Sequence, residues 1–247
     1  MQGSLIKLSG VCCSYQTPER ETDAVRDLSF SVDEGEFVAI VGPSGCGKTT
    51  VLSLIMGLMQ PSSGSITVRD GSKCGYMLQR DSLLGWRSVR KNALLALEVT
   101  HAVTPEGEAK VDALIKRCGL SDFAGSRPAQ LSGGMRQKVA LIRTLSTDPD
   151  LLLLDEPFSA LDYQTRLTLS DEVYSLIKSC GKTAILVTHD ISEAVSMADR
   201  VLVFSNRPAT LRYETQIYEG RANSPLERRN QAWFSSYFSD IWEELQA

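Results

Sequence analysis

Eight consecutive residues, Gly42-Pro43-Ser44-Gly45-Cys46-Gly47-Lys48-Thr49, constrain this 247-residue chain more than any other stretch. They follow Phe37–Val41, an apolar, β-branched run that reads as a buried strand. They precede Thr50–Leu58, which reads as a helix ending near Gly57. Strand, glycine-rich loop and helix form the setting in which G-x-x-x-x-G-K-[ST] cradles phosphate. The glycines let successive backbone N–H groups converge on one anion, and the helix N-terminus adds its partial positive charge. Lys48 would then reach the β- and γ-phosphates of a nucleotide as a mobile point charge, and the Thr49 hydroxyl would ligate Mg²⁺. A purely structural glycine turn needs neither the lysine nor the threonine.

Bulk properties narrow the rest. A chain this long can bury a full core as one large domain or two small ones. Its formal net charge of −4 lacks the basic surplus of a nucleic-acid binder. The six cysteines form no C-x-x-C pair and there are only two histidines, so reduced thiols rather than a structural zinc site are expected. Cys46 lies inside the phosphate loop, so its alkylation is expected to block nucleotide binding. No apolar run approaches the roughly 20 residues that span a bilayer, and the N-terminus lacks a signal-peptide core. The expectation is a cytosolic protein that can dock on a membrane protein.

Along the chain, Leu5–Tyr15 and Val25–Val32 read as strands around a polar loop, Gln16–Asp23, that holds Pro18. Tyr15, alone near the first strand's end, is either a stacking platform for an adenine ring or a half-buried strand tyrosine. Two short strands follow, Ser65–Val68 and Gly75–Leu78, the second ending at Gln79. From Arg80 to Asp150 helical spacing replaces alternation, with one helix opened by Thr104 as N-cap and Pro105 at its first position. Leu83, Leu84 and Trp86 lie in the first loop of this insertion; they either pack inside it or form an exposed anchor for a partner. Ser132-Gly133-Gly134 opens a second helix with flexible backbone donors and a hydroxyl, a second candidate anion site that lacks a lysine.

Leu151–Leu154 need both faces covered, as in a central parallel strand. Asp155 and Glu156 stand at its C-terminal mouth, where α/β sheets bind ligands. Asp155 would hold Mg²⁺ directly or through water, and Glu156 would face an attacking water. Ser159–Asp162 turns into a helix running from about Tyr163 to Ser179. Thr183–Val187 is another buried strand, with His189 just beyond its mouth. A short helix (Ile191–Ala198) and a strand (Arg200–Phe204) follow. The tail opens with a capping box at Ser224 and Glu227. It carries an aromatic stripe (Phe234, Phe238, Ile241, Trp242, Leu245) whose ordinary use is docking on its own domain.

In this order the pieces resemble the ATPase subunit of an ATP-binding cassette (ABC) transporter. Leu131-Ser132-Gly133-Gly134-Met135-Arg136-Gln137, just ahead of Leu154-Asp155-Glu156-Pro157, is the specific part of that resemblance, which covers about Leu5 to Phe204. It implies an α/β fold: a P-loop NTPase core with a mostly parallel sheet, an antiparallel β subdomain and an inserted helical subdomain. The ATP-binding domain would span 4–222, with the insertion at about 80–150, and the helical tail 223–247. Tyr15 looks like the adenine-stacking aromatic, Gln79 like the glutamine that senses Mg²⁺ and the γ-phosphate, Glu156 like the catalytic base and His189 like the switch histidine. The nucleotide would lie along Gly42 to Thr50, with Lys48 acting in catalysis as well as binding. Ser132, Gly133, Gly134 and Asp162 would close on it from a second copy of the chain or a paired ABC ATPase, head to tail. ATP and Mg²⁺ are the implied cofactors, and Thr49, Gln79 and Asp155 the implied metal contacts. Integral membrane permease subunits are implied as direct partners and a solute-binding protein as an indirect one, with the chain peripheral on the cytoplasmic side of the cell membrane. Leu83 to Asn92 looks like the importers for nitrate, sulfonates and taurine, except that Gly85 stands where those commonly have Pro. Two rival readings are a soluble ABC ATPase acting outside transport and a nucleotide-dependent module that does not turn over.

Overall fold

Four leucines in succession leave a strand no solvent face, and Leu151–Leu154 are all fully buried in the computed structural model, which describes residues 4–16 and 21–246. Burial of each such side chain contributes roughly 1.5–3 kcal/mol, so this strand sits where both faces can be covered. It is β6 (Leu151–Asp155) in a six-stranded sheet. Its sheet partners are β5 (Cys74–Met77), β7 (Thr183–Thr188), β3 (Phe37–Val41), β8 (Arg200–Phe204) and β9 (Leu211–Gln216). The spatial order is β5-β6-β7-β3-β8-β9, parallel throughout except for β9. A second, antiparallel sheet of order β2-β1-β4 is built from β1 (Ser4–Gln16), β2 (Glu21–Asp33) and β4 (Ser63–Val68). β2 starts earlier than its apolar alternation indicates, and the loop read around Pro18 lies outside the described residues.

The two faces of the six-stranded sheet seal two cores. Leu151 and Leu153 join Val38, Ile40 and the apolar side of the antiparallel sheet, with α1 (Lys48–Ile55). Leu152 and Leu154 join the helices on the other face. These are α2 (Val89–Val99), α3 (Pro105–Arg117) and α4 (Gly133–Ser146) of the insertion, α5 (Tyr163–Ser179) and α6 (Ile191–Met197). Thr104 caps α3 as its sequence indicates, its hydroxyl accepting from the Gly107 amide at 3.1 Å. The strand β9 has no counterpart in the apolar pattern. Its side chains alternate Leu211, Tyr213 and Thr215 with charged and amide residues, the weak period of an edge strand.

The tail forms two helices, α7 (Pro225–Arg229) and α8 (Phe234–Gln246). The capping box at Ser224 and Glu227 is made. α7 packs on α5 and α6, whereas α8 packs on α6, β8 and β9, and one straight helix cannot face both surfaces. Ile241 is fully buried, while Trp242 stays half exposed and stacks on Phe238 with centroids 6.5 Å apart. Arg228 is fully buried as well. Its guanidinium donates to the carbonyls of Ala198 and Gly220 at 2.8 Å each and lies over the Tyr174 ring at 5.5 Å. Truncating it strands the buried Ala198 carbonyl and the part-buried Gly220 carbonyl beside a void. Arg228→Ala is expected to lose about 2–4 kcal/mol of stability, read as a lowered urea midpoint at unchanged slope.

Candidate functional site

The phosphate loop is shaped by contacts that exclude side chains. A Cβ on Gly42 would meet Cys46 Sγ at 3.0 Å and Phe204 Cβ at 3.2 Å. Gly47 has φ 129°, and a Cβ there would lie 2.6 Å from the Ala24 carbonyl oxygen. Lys48 is buried inside the curl, donating to the carbonyls of Gly42 (2.7 Å) and Pro43 (2.9 Å). The helix α1 begins at Lys48 itself, two residues earlier than its apolar pattern shows. Ser44, Gly45 and Thr49 are exposed. Cys46, by contrast, is buried, and burial pushes its thiol pKa up, so alkylation there must wait for the loop to open.

Asp155 sits at the end of β6 with 4% exposure. Thr49 Oγ1 donates to its Oδ1 at 3.2 Å and the Tyr76 hydroxyl donates to its Oδ2 at 3.1 Å. Burial nevertheless holds the Asp155 pKa above the usual carboxylate range, against the pull of those bonds and of Lys48. Burial likewise raises the Tyr76 phenol. Glu156 takes φ 44°, a left-handed conformation that a non-glycine residue adopts only under constraint. Its amide still donates to the Val187 carbonyl at 2.9 Å, and the chain then turns as the Ser159 amide and hydroxyl bond its carbonyl. This turn swings the carboxylate to the sheet edge. There Oε2 accepts from Gln79 Nε2 at 3.3 Å and lies 3.2 Å from His189 Nδ1.

The loop, Tyr15, Glu156 and Arg207 line one cavity of about 340 Å³. Tyr15 is anchored at its flank, its hydroxyl 3.0 Å from that of Thr50. The chain therefore gathers Tyr15, the phosphate loop, Gln79, Asp155, Glu156 and His189 into one constellation. It does not bring the serine–glycine turn there. Ser132 and Gly134 line a separate cavity of about 320 Å³ together with Thr165, and the two cavities share no residue. Ser132 Oγ caps α4 by accepting from the Met135 amide at 3.2 Å, and Asp162 caps α5 through the Thr165 amide at 3.0 Å.

The family model for ABC transporters matches residues 25–159, more than half of the chain. The chain belongs to the ABC transporter family. This ABC ATPase is 43% identical over 254 residues to the uncharacterized ABC transporter ATP-binding protein YtlC of Bacillus subtilis, covering 99% of this chain and 96% of that protein. It is 38% identical over 236 residues to the taurine import ATP-binding protein TauB of Rhizobium johnstonii, covering 92% and 89%. Among solved structures it resembles the dimeric post-hydrolysis state of the cassette MJ0796 bound to ADP and Pi. That match has a TM-score of 0.73 and 29% identity, covering 85% of this chain and 98% of that one.

Three residues near the ABC site carry no signal in sequence. Tyr76 is one of several strand aromatics until the fold aims it at Asp155. Arg166, on α5, donates to the Leu161 carbonyl at 3.1 Å and pairs with Asp190 at 3.2 Å, next to His189. Arg207 reaches the cavity from the loop after β8. The buried carboxylate of Asp155 opposes folding. Its folded pKa lies above the unfolded value, so stability falls as pH rises from the unfolded pKa to the folded one. In nucleotide-free protein at pH 7, Asp155→Asn is expected to raise Tm while abolishing ATP turnover. Paired calorimetry and phosphate-release assays check both halves.

Proposed function

We propose that the chain powers an importer for a small solute of the nitrate, sulfonate or taurine kind. It would work as the ATP-hydrolysing half of a head-to-tail dimer on the cytoplasmic face of the membrane. The observation that carries this is the split site: the lysine cavity holds the carboxylate, while the serine–glycine turn faces a cavity of its own. A second copy, or a paired ABC ATPase, turned head to tail presents Ser132, Gly133 and Gly134 to the nucleotide held along Gly42 to Thr50. The helix end behind Ser132 then faces the γ-phosphate, and Asp162 crosses with it.

Within the closed site each side chain has a task its geometry permits. Tyr15 offers its ring to the adenine. Lys48 exchanges the carbonyls of Gly42 and Pro43 for phosphate oxygens and stabilises charge as it develops there. Glu156 takes the proton of the attacking water, with Gln79 and His189 holding its Oε2 in place. Thr49, Asp155 and Gln79 supply hard oxygen donors. Among the described residues no three His, Cys, Asp or Glu side chains converge as a metal cage. That donor set suits Mg²⁺, which takes most of its ligands from phosphate and water and, when bound, neutralises charge on the phosphate chain.

The membrane contact lies beside Gln79. Trp86 is 73% exposed, whereas Leu83 packs on the core, so the two readings of this loop divide between neighbouring residues. Asn92, fully buried, holds the loop by donating to the carbonyls of Leu84, Arg87 and Ser88 and accepting from the Leu84 amide. A loop held in this way and presenting an exposed tryptophan suits contact with a permease helix, with the solute-binding protein engaged only through the permease. Among the described residues no helix is long and apolar enough to cross a membrane itself.

Two experiments bear on this reading. Glu156→Gln is expected to keep ATP binding, lower turnover by about 10²–10⁴-fold and trap an ATP-dependent dimer on size exclusion. Undiminished hydrolysis would remove Glu156 from the base role. Purification from native membranes in mild detergent is expected to recover a stoichiometric multi-span protein; recovery with water-soluble partners alone would overturn the transport assignment.

A further inference from the structure

Among the described residues Arg207 is the one cation besides Lys48 that lines the ATP cavity, and it belongs to neither the phosphate loop nor any motif read from the sequence. The loop that carries it is held firmly on both sides. The Ala209 amide donates to the Ala24 carbonyl at 2.9 Å, and the Arg26 amide donates to the Ala209 carbonyl at 3.0 Å, tying the loop to β2. The Ser205 hydroxyl donates to the Pro208 carbonyl at 3.0 Å and accepts from the Thr210 amide at 3.0 Å, closing the turn on itself. Ala209 also packs against the phosphate loop: a Cβ on Gly47 would lie 3.3 Å from its methyl carbon. Backbone pinned at Ala209 thus delivers the side chain two residues earlier to the cavity wall. Among the described residues the Arg207 guanidinium has no hydrogen-bond or ion-pair partner, although every other arginine of the core sheets is paired.

We propose that Arg207 is a nucleotide-binding residue that contacts the phosphate chain of bound ATP from the side opposite the sheet edge holding Glu156. A guanidinium presents a planar fork of donors that matches phosphate oxygens, and an exposed, unpaired one gives up little to make that contact. Lys48, folded onto its own loop, serves the phosphates from within the curl; Arg207 serves them from outside it. Its position on a loop tied to both β2 and Gly47 means that nucleotide contact there also fixes the antiparallel sheet against the P-loop. This inference rests on the cavity being the ATP site.

The test is nucleotide affinity in the full chain, measured by fluorescence titration with ATP and with ADP at two salt concentrations. Arg207→Ala is expected to weaken ATP binding about tenfold, the loss of one charge-assisted bond at a half-open site, and to reduce the salt dependence of binding. Arg207→Lys should fall between the two. The melting temperature of nucleotide-free protein should be unchanged, while the stabilisation added by ATP shrinks. Affinity within twofold of wild type in both variants, or weakened binding with an equal loss of nucleotide-free stability, would overturn the assignment. Lys48→Ala run alongside separates the two readings: if it too leaves affinity intact, the cavity is not the ATP site, whereas intact affinity in the Arg207 variants alone defeats only this inference.

Discussion

The register of four neighbouring parallel strands holds the rest of this structure in place. Val41 pairs with Thr188, Asp155 with Val187, and Met77 with Leu154, so the four strands concerned end at one edge. The residues that follow, Gly42, Glu156, His189 and Gln79, meet there because of those pairings and not because they are near one another in sequence. Ladder hydrogen bonds between fully buried strands have no water to replace them, which makes the register costly to change. A slip of one residue would also turn Leu152 and Leu154 away from the helices and toward the antiparallel sheet.

The site built on that edge works against the stability of its scaffold. Asp155 is a buried carboxylate with a raised pKa, Glu156 holds a left-handed backbone, and Lys48 is buried, hydrogen-bonded to the carbonyls of Gly42 and Pro43. Each of these is unfavourable alone and tolerated because the sheet over-determines the backbone around it. On the proposed reading a bound nucleotide with its divalent cation would offset two of these, the phosphate oxygens receiving the lysine and the cation compensating the aspartate, while the left-handed turn aims Glu156 beside them.

The parts legible in sequence are those whose chemistry is local. The phosphate loop, the Leu151–Leu154 strand with its two acids, and the caps at Thr104, Ser132 and Ser224 each carry their own signature within a few residues, and the structure forms each of them. What escaped depends on distant partners. β9 is an edge strand with no fully buried residue, so its apolar signal is faint. Tyr76 and Arg207 acquire meaning only when β5 is laid beside β6 and the loop after β8 beside Gly47. The tail's division into two helices follows from the surface it covers, with Arg228 drawn toward Tyr174 and Ile241 toward the other face of α6, and no helix breaker marks it.

Arginines join the moving parts that the sheet alone leaves separate. α5 is capped by Asp162 and α6 by Asp190, directly after the Ser159–Leu161 turn and the histidine that lies 3.2 Å from Glu156. Arg166 grips both starts, bonding the Leu161 carbonyl and the Asp190 carboxylate, with buried Glu193 3.7 Å behind it. Arg228 binds the far end of α6 at the Ala198 carbonyl and reaches the Tyr174 hydroxyl of α5. The two helices are thus tied to each other at their starts through Arg166 and again, farther along, through Arg228. In the proposed head-to-tail dimer that turn meets the partner, which would link subunit closure to the placement of Glu156 through Arg166.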